Sequence, residues 1–129
     1  QGGDGNHFAR IEQTGNANIS SVAQSGSAQN IAVLSQTGDA NTVLLSQNDN
    51  GLNGSGAAIS QTGSGNLAAL TQDGSNNQAI LSQNGDSNTM TATQLGDGNA
   101  LEWAQNGNGL TDMAIIQTGG ATAIITQGN

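Results

Sequence analysis

The sequence predicts an all-β chain, a β-solenoid of about 11 half-repeats of about 11 residues in which each half-repeat is a strand and a turn. Two strands make a rung, and the rungs stack as in a cross-β fibre. Three observations predict this. A glutamine recurs at near-constant spacing, a glycine follows it at a fixed offset, and the residues two and four before it are small or apolar.

The glutamines are Gln13, Gln24, Gln36, Gln47, Gln61, Gln72, Gln83, Gln94, Gln105 and Gln117, with Gln1 and Gln127 outside them. Six of the eleven intervals are 11 residues, three are 12, and the others are 10 and 14. Two residues after each of the first eleven stands a glycine, with Asp49 the exception. Asparagine follows at five residues in Asn18, Asn41, Asn66, Asn77, Asn88 and Asn99, and Asn30 sits one residue later in its longer interval. The unit is Q-x-G-x-x-N with about five residues to follow.

Two before each glutamine, in chain order, come Ile11, Val22, Leu34, Leu45, Ile59, Leu70, Leu81, Ala92, Trp103, Ile115 and Ile125. Four before it come Ala9, Ser20, Ala32, Val43, Ala57, Ala68, Ala79, Met90, Leu101, Met113 and Ala123. A spacing of two is that of a strand, whose side chains alternate faces. The inner row of every strand therefore reads asparagine, small apolar, large apolar, glutamine. The large residues of that row, Ile11, Val22, Leu34, Leu45, Ile59, Leu70, Leu81, Trp103, Ile115 and Ile125, are the expected core.

An 11-residue period also suits a helical supercoil. Ten in-register glycines would cost such a helix about 10 kcal/mol relative to alanine, so the helical reading fails. The G-x-x-N stretches instead supply residues that tolerate positive φ and close tight turns. Length variation belongs in those turns. The 14-residue interval places an irregular loop near 48–56 within a single repeat domain over 1–129.

Buried amides are costly unless paired. Stacked about 4.8 Å apart, like amides can bond up and down a column, so the ten glutamines from Gln13 to Gln117 and the seven asparagines from Asn18 to Asn99 are read as structural ladders. The chain has no Pro, and Ala123-Ile124-Ile125-Thr126 carries no charge, so little guards a strand edge against a further copy. Head-to-tail homopolymerisation through open solenoid ends is the expected behaviour. Eleven strands make five and a half rungs, so seamless stacking would turn each copy by about half a turn.

Composition excludes much else. One Lys or Arg against nine Asp and Glu gives a net charge of −8, which argues against nucleic-acid binding and a polybasic membrane patch. No apolar run is long enough to span a bilayer, so membrane insertion is not expected. With no Cys or Tyr, one His and 8% charged residues, the usual sets of catalytic, metal-binding and cofactor-binding residues are nearly empty. The reading is of a protein that is not an enzyme and needs no cofactor. His7 is expected at a solvated turn edge and Trp103 in the core.

Asp4, Asp39, Asp86 and Asp97 stand three residues after a glutamine, in turns. Turn formation and solvation explain them; weak calcium binding between loops is the sharper reading. Thr89, Thr91 and Thr93 face outward together, but Leu44, Ala69 and Ala114 interrupt that face and break an ice-binding row. A monomeric secreted solenoid binding calcium or ice is thus the alternative to a fibre subunit.

The segments Gln61-Thr-Gly-Ser-Gly-Asn-Leu-Ala-Ala-Leu-Thr-Gln72 and Gln72-Asp-Gly-Ser-Asn-Asn-Gln-Ala-Ile-Leu-Ser-Gln83 resemble, position by position, the repeat of curlin, the subunit of bacterial curli amyloid fibres. The resemblance implies a secreted, extracellular, self-assembling fibre at the bacterial cell surface, serving biofilm matrix and adhesion. It also implies two partners, an outer-membrane export pore and a nucleator. Complete motifs in nearly every half-repeat resemble the nucleating subunit, the absence of basic residues near the C-terminus does not, and the scarcity of Tyr and Phe departs from the major subunit; the resemblance leaves both open, with a divergent major subunit preferred.

Overall fold

The structure, a computed structural model, describes residues 1–129. The chain forms eleven strands and no helix: β1 Phe8–Thr14, β2 Ile19–Gly26, β3 Ile31–Thr37, β4 Thr42–Asp49, β5 Gly56–Thr62, β6 Leu67–Asp73, β7 Gln78–Asn84, β8 Thr89–Leu95, β9 Ala100–Asn106, β10 Ile115–Thr118 and β11 Thr122–Gly128. Odd strands form one six-stranded sheet in the order β1-β3-β5-β7-β9-β11, and even strands form a five-stranded sheet in the order β2-β4-β6-β8-β10. Every pairing is parallel. Each strand joins the strand two along, so the chain winds as a β-solenoid of about five turns.

Register follows the repeat. Gln36 pairs with Gln61, Gln61 with Gln83 and Gln83 with Gln105, and in the other sheet Gln47 pairs with Gln72 and Gln72 with Gln94. A slip of one residue would turn the whole apolar row to solvent, so the alternating pattern holds the register. The turns stack as well. The glycine N–H groups of Gly38, Gly63, Gly85 and Gly107 donate to Thr14, Thr37, Thr62 and Asn84 carbonyls one rung earlier, at 2.9 to 3.0 Å.

Between the sheets lies a cluster of 14 buried apolar residues drawn from β3 to β9. Leu34, Leu45, Ile59, Leu70, Leu81 and Trp103 are in it. Ala92, the smallest residue in the large-apolar row, shares the cluster with Trp103, the largest; small beside large lets a layer of fixed thickness close.

The outermost rungs differ from the expected core. Ile11 is 43% exposed, and Val22, Ile115 and Ile125 are only partly buried. β1 has a neighbour on one side alone, β3, so Ile11 lacks the packing partners that a rung beneath would provide.

The tenth strand is shorter than its repeat predicts. β10 begins at Ile115, Met113 is 44% exposed, and Ala114 has a φ of 48° rather than a strand conformation beside the threonine face of β8. Leu110 occupies a position that asparagine holds in most of the other turns. Downstream, Asp112 Oδ1 accepts from the N–H of Thr91 at 2.9 Å and of Ala114 at 2.9 Å, so a side chain stands in for the ladder carbonyl.

A further rule of the turns emerges four residues after the glutamine, where the chain takes left-handed φ at Ala17, Ala40, Gly65, Asn76, Ser87, Gly98 and Gly109. An alanine there is strained. Ala40→Gly, at a φ of 56°, is expected to stabilise the fold by about 0.5–1 kcal/mol, read as a higher melting temperature. An unchanged or lower temperature would show that the turn relaxes the strain otherwise.

Candidate functional site

The chemistry of this chain is concentrated in the columns that its repeat creates. In the first, Nε2 of Gln13 donates to Oε1 of Gln36, and the relay continues to Gln61, Gln83, Gln105 and Gln127 at 2.6 to 3.0 Å. In the second, the relay runs from Gln1 through Gln24, Gln47, Gln72 and Gln94 to Gln117 at 2.8 to 3.0 Å. Every bond points the same way, from the earlier rung to the later.

A glutamine amide has two donors, and the second is spent across the core. Gln36 donates to the Ile19 carbonyl, Gln61 to Thr42, Gln72 to Gly56, Gln83 to Leu67, Gln94 to Gln78 and Gln105 to Thr89, at 2.9 to 3.1 Å. Each acceptor is the first residue of the preceding strand, in the opposite sheet. The glutamines therefore staple the two sheets as well as the rungs. From Gln24 to Gln117 the column residues are buried, and no buried side-chain nitrogen or oxygen lacks a partner. Gln13, placed among the ladder residues by sequence, is exposed, because β1 is an outer strand.

The asparagines work differently from the like-over-like column that the sequence suggests. Asn18, Asn41, Asn66 and Asn88 each accept, through Oδ1, the backbone N–H of the equivalent residue one rung later, ending at Leu110, at 3.0 to 3.1 Å. Their Nδ2 groups donate to the carbonyls of Gly38, Gly63, Gly85 and Gly107 at 2.7 to 2.8 Å. On the other edge Asn30, Ser55, Asn77 and Asn99 make the same relay, ending at Ala121. The shorter side chain sits where turn becomes strand, within reach of main-chain groups, so the backbone completes the column. Direct amide-to-amide bonds occur only as additions, from Asn66 to Asn41 and from Asn99 to Asn77.

Residues 53–85 and 65–96 match the family model of the curlin-associated repeat. Residues 53–96 carry the curlin-associated repeat. No curated protein and no solved structure matches it. The geometry explains each recurring letter of the curlin repeat unit here, since glutamine joins rungs and sheets, glycine permits the close turn, and asparagine caps the turn above.

Departures from the curlin repeat are equally informative. Asp49 stands in a glycine position and Ser55 in an asparagine position, Asp49 ending β4 and Ser55 immediately preceding β5. They complete each other. Asp49 is fully buried; its Oδ1 accepts from Gly51 N–H at 2.9 Å and Ser75 Oγ at 3.0 Å, and its Oδ2 from Ser55 Oγ at 3.3 Å. The sequence marks this turn through its missing glycine and its 14-residue interval, but not the contact.

Three of the turn carboxylates bond to the rung before them. Asp39 Oδ1 accepts from Asn16 N–H, Asp86 Oδ1 from Ser64 N–H and Asp97 Oδ1 from Ser75 N–H, each at 2.7 Å. Asp39 and Asp86 are separated along their edge by the rung that carries Ser64, and no three His, Cys, Asp or Glu side chains converge. The calcium reading has no cluster of oxygens to rest on. His7 is half-buried rather than a free turn edge: its Nδ1 accepts from Asn30 N–H at 3.2 Å, taking the place of an asparagine oxygen at the head of that column. Trp103 is fully buried and donates from Nε1 to Gln127 Oε1 at 3.0 Å.

Proposed function

We propose that the protein is the structural subunit of an extracellular, curli-like amyloid fibre that grows head to tail through the ends of the solenoid and serves biofilm matrix and adhesion. Its partner in this reading is another copy of itself, with an export pore and a nucleator as further partners and the cell surface as the place of assembly. The whole of 1–129 acts as one repeat domain.

One observation carries the reading. Both glutamine columns run the full height of the stack with one polarity, so the first rung leaves the Oε1 atoms of Gln1 and Gln13 without a donor, and the last leaves Gln117 and Gln127 with no further glutamine oxygen to donate to, their Nε2 groups bonding only to main-chain carbonyls. One end is complementary to the other, and the terminal strands add matching main-chain edges. Curlin-associated repeats over residues 53–96 support the same conclusion.

Incubation of the purified chain is expected to give thioflavin-positive fibres whose growth is accelerated by preformed seeds and whose diffraction has a meridional reflection near 4.8 Å. A chain that stays monomeric at high concentration, seeded or not, would end this reading.

A further inference from the structure

The outer face of the six-stranded sheet carries a column whose order is unlike the others. From β1 to β11 it reads Arg10, Val33, Ala58, Ile80, Glu102, Ile124. All six side chains are exposed, Val33 at 41% and Ile80 at 56%. Arg10 is the chain's one Lys or Arg. Over the first five strands of this sheet the column is therefore cation, apolar, small, apolar, anion, and Ala58 is its midpoint.

We infer that this face docks onto the same face of a second copy, with the two stacking axes antiparallel and a two-fold axis passing over Ala58. That rotation brings Arg10 opposite the other copy's Glu102 twice, Val33 opposite Ile80 twice, and Ala58 opposite itself. The charge order selects this arrangement from its competitors. In a parallel face-to-face pair at the same level, Arg10 meets Arg10 and Glu102 meets Glu102, which is repulsive. An antiparallel pair shifted by one strand sets Arg10 against Ile80 or Ile124 and strands its charge on an apolar side chain.

Size and shape agree. Five strands span about 20–24 Å along the axis, and with strands of similar length the patch offers about 500 Å² a side, at the lower end of specific interfaces. The small Ala58 leaves a shallow notch between Val33 and Ile80, which also line one groove of this face. Side chains of a facing copy can enter it. Arg10 already pairs with Glu12 on its own strand, and its exposed guanidinium has donors left for a second carboxylate. A contact of this size is weak for one pair of molecules and is multiplied wherever copies are joined end to end. The inference concerns the flank of the solenoid, not its ends, and goes beyond fibre growth.

The chain has no cysteine, so single replacements at exposed positions label it cleanly. Val33→Cys and Ile80→Cys chains, mixed and treated with a short bismaleimide, are expected to yield mixed pairs about tenfold above the like pairs from either alone, since like positions lie two strand steps, about 10 Å, apart along the axis. Arg10→Glu or Glu102→Arg should abolish the mixed link, and the double change Arg10→Glu/Glu102→Arg should restore it. Restoration also shows that the variants fold. Like pairs as abundant as mixed ones, no mixed pairs, or a yield indifferent to charge reversal would each overturn the inference. Growth from the solenoid ends does not use Glu102, which lies on the inner strand β9, so seeded fibre growth of Glu102→Arg reads the two proposals separately.

Discussion

Gln61→Leu is expected to lower the stability of the folded chain by about 3–6 kcal/mol, although leucine is apolar and of similar volume. Gln61 is 1% exposed and makes three hydrogen bonds: it accepts from Gln36, donates to Gln83, and donates across the core to the Thr42 carbonyl. Leucine removes all three. The larger loss falls on the neighbours, because the Gln36 Nε2 donor and the Gln83 Oε1 acceptor stay buried with no water to replace the missing partner, at about 1–3 kcal/mol each. Gln13→Leu, at an exposed position of the same column, should cost less than about 1 kcal/mol because solvent reaches the amide that it strands. The comparison is made by denaturant unfolding under conditions that keep the chain unassembled. Equal costs at the two positions would show that column membership does not decide the energetics.

Gly63→Ala is expected to be nearly as damaging, at about 3 kcal/mol or more. Gly63 has a φ of 113°, and a Cβ there would lie 2.1 Å from the Gly85 carbonyl oxygen and 2.7 Å from its carbon. Those atoms are backbone, and they belong to the next turn of the stack. Relief requires widening the rung spacing, which would stretch the bond from Gly85 N–H to Thr62 and that from Asn66 Nδ2 to the Gly85 carbonyl. Gly109→Ala is the control. Its φ of 63° is one an L-residue can adopt, and nothing lies within 4 Å of the added carbon, so about 1 kcal/mol is expected. Thermal unfolding of the two variants should separate them by many degrees. If they melt together, the close approach of successive turns is not what fixes glycine in the repeat.

Both predictions concern letters of the repeat that are visible in the sequence, and the reason lies in how the pattern is generated. Glutamine, glycine and the apolar pair before glutamine recur at fixed offsets, so each half-repeat meets the same surroundings above and below. Local pattern is then sufficient to give strand, turn, inward face and register. Departures from the pattern were legible as departures but not as structures. Leu110 in place of asparagine shortens β10 because Asp112 takes over the Thr91 N–H, which depends on a residue one rung away. Asp49 and Ser55 look like two separate losses and prove to be one buried pair.

What the sequence by itself determined is the repeating interior of this solenoid: two parallel in-register sheets, an apolar layer between them and an amide column beside it. The tertiary structure decided the remainder. It directed the second donor of each glutamine into the opposite sheet, drew main-chain groups into the asparagine columns, exposed Ile11 and Gln13, and assembled Arg10, Val33, Ala58, Ile80 and Glu102 into one palindromic column. The physical reason is common to all four. A strand's burial and its hydrogen bonds are completed by residues about 22 positions away along the chain, in the rung above or below, so what a side chain touches is set by winding, and an outer strand has only half of its neighbours.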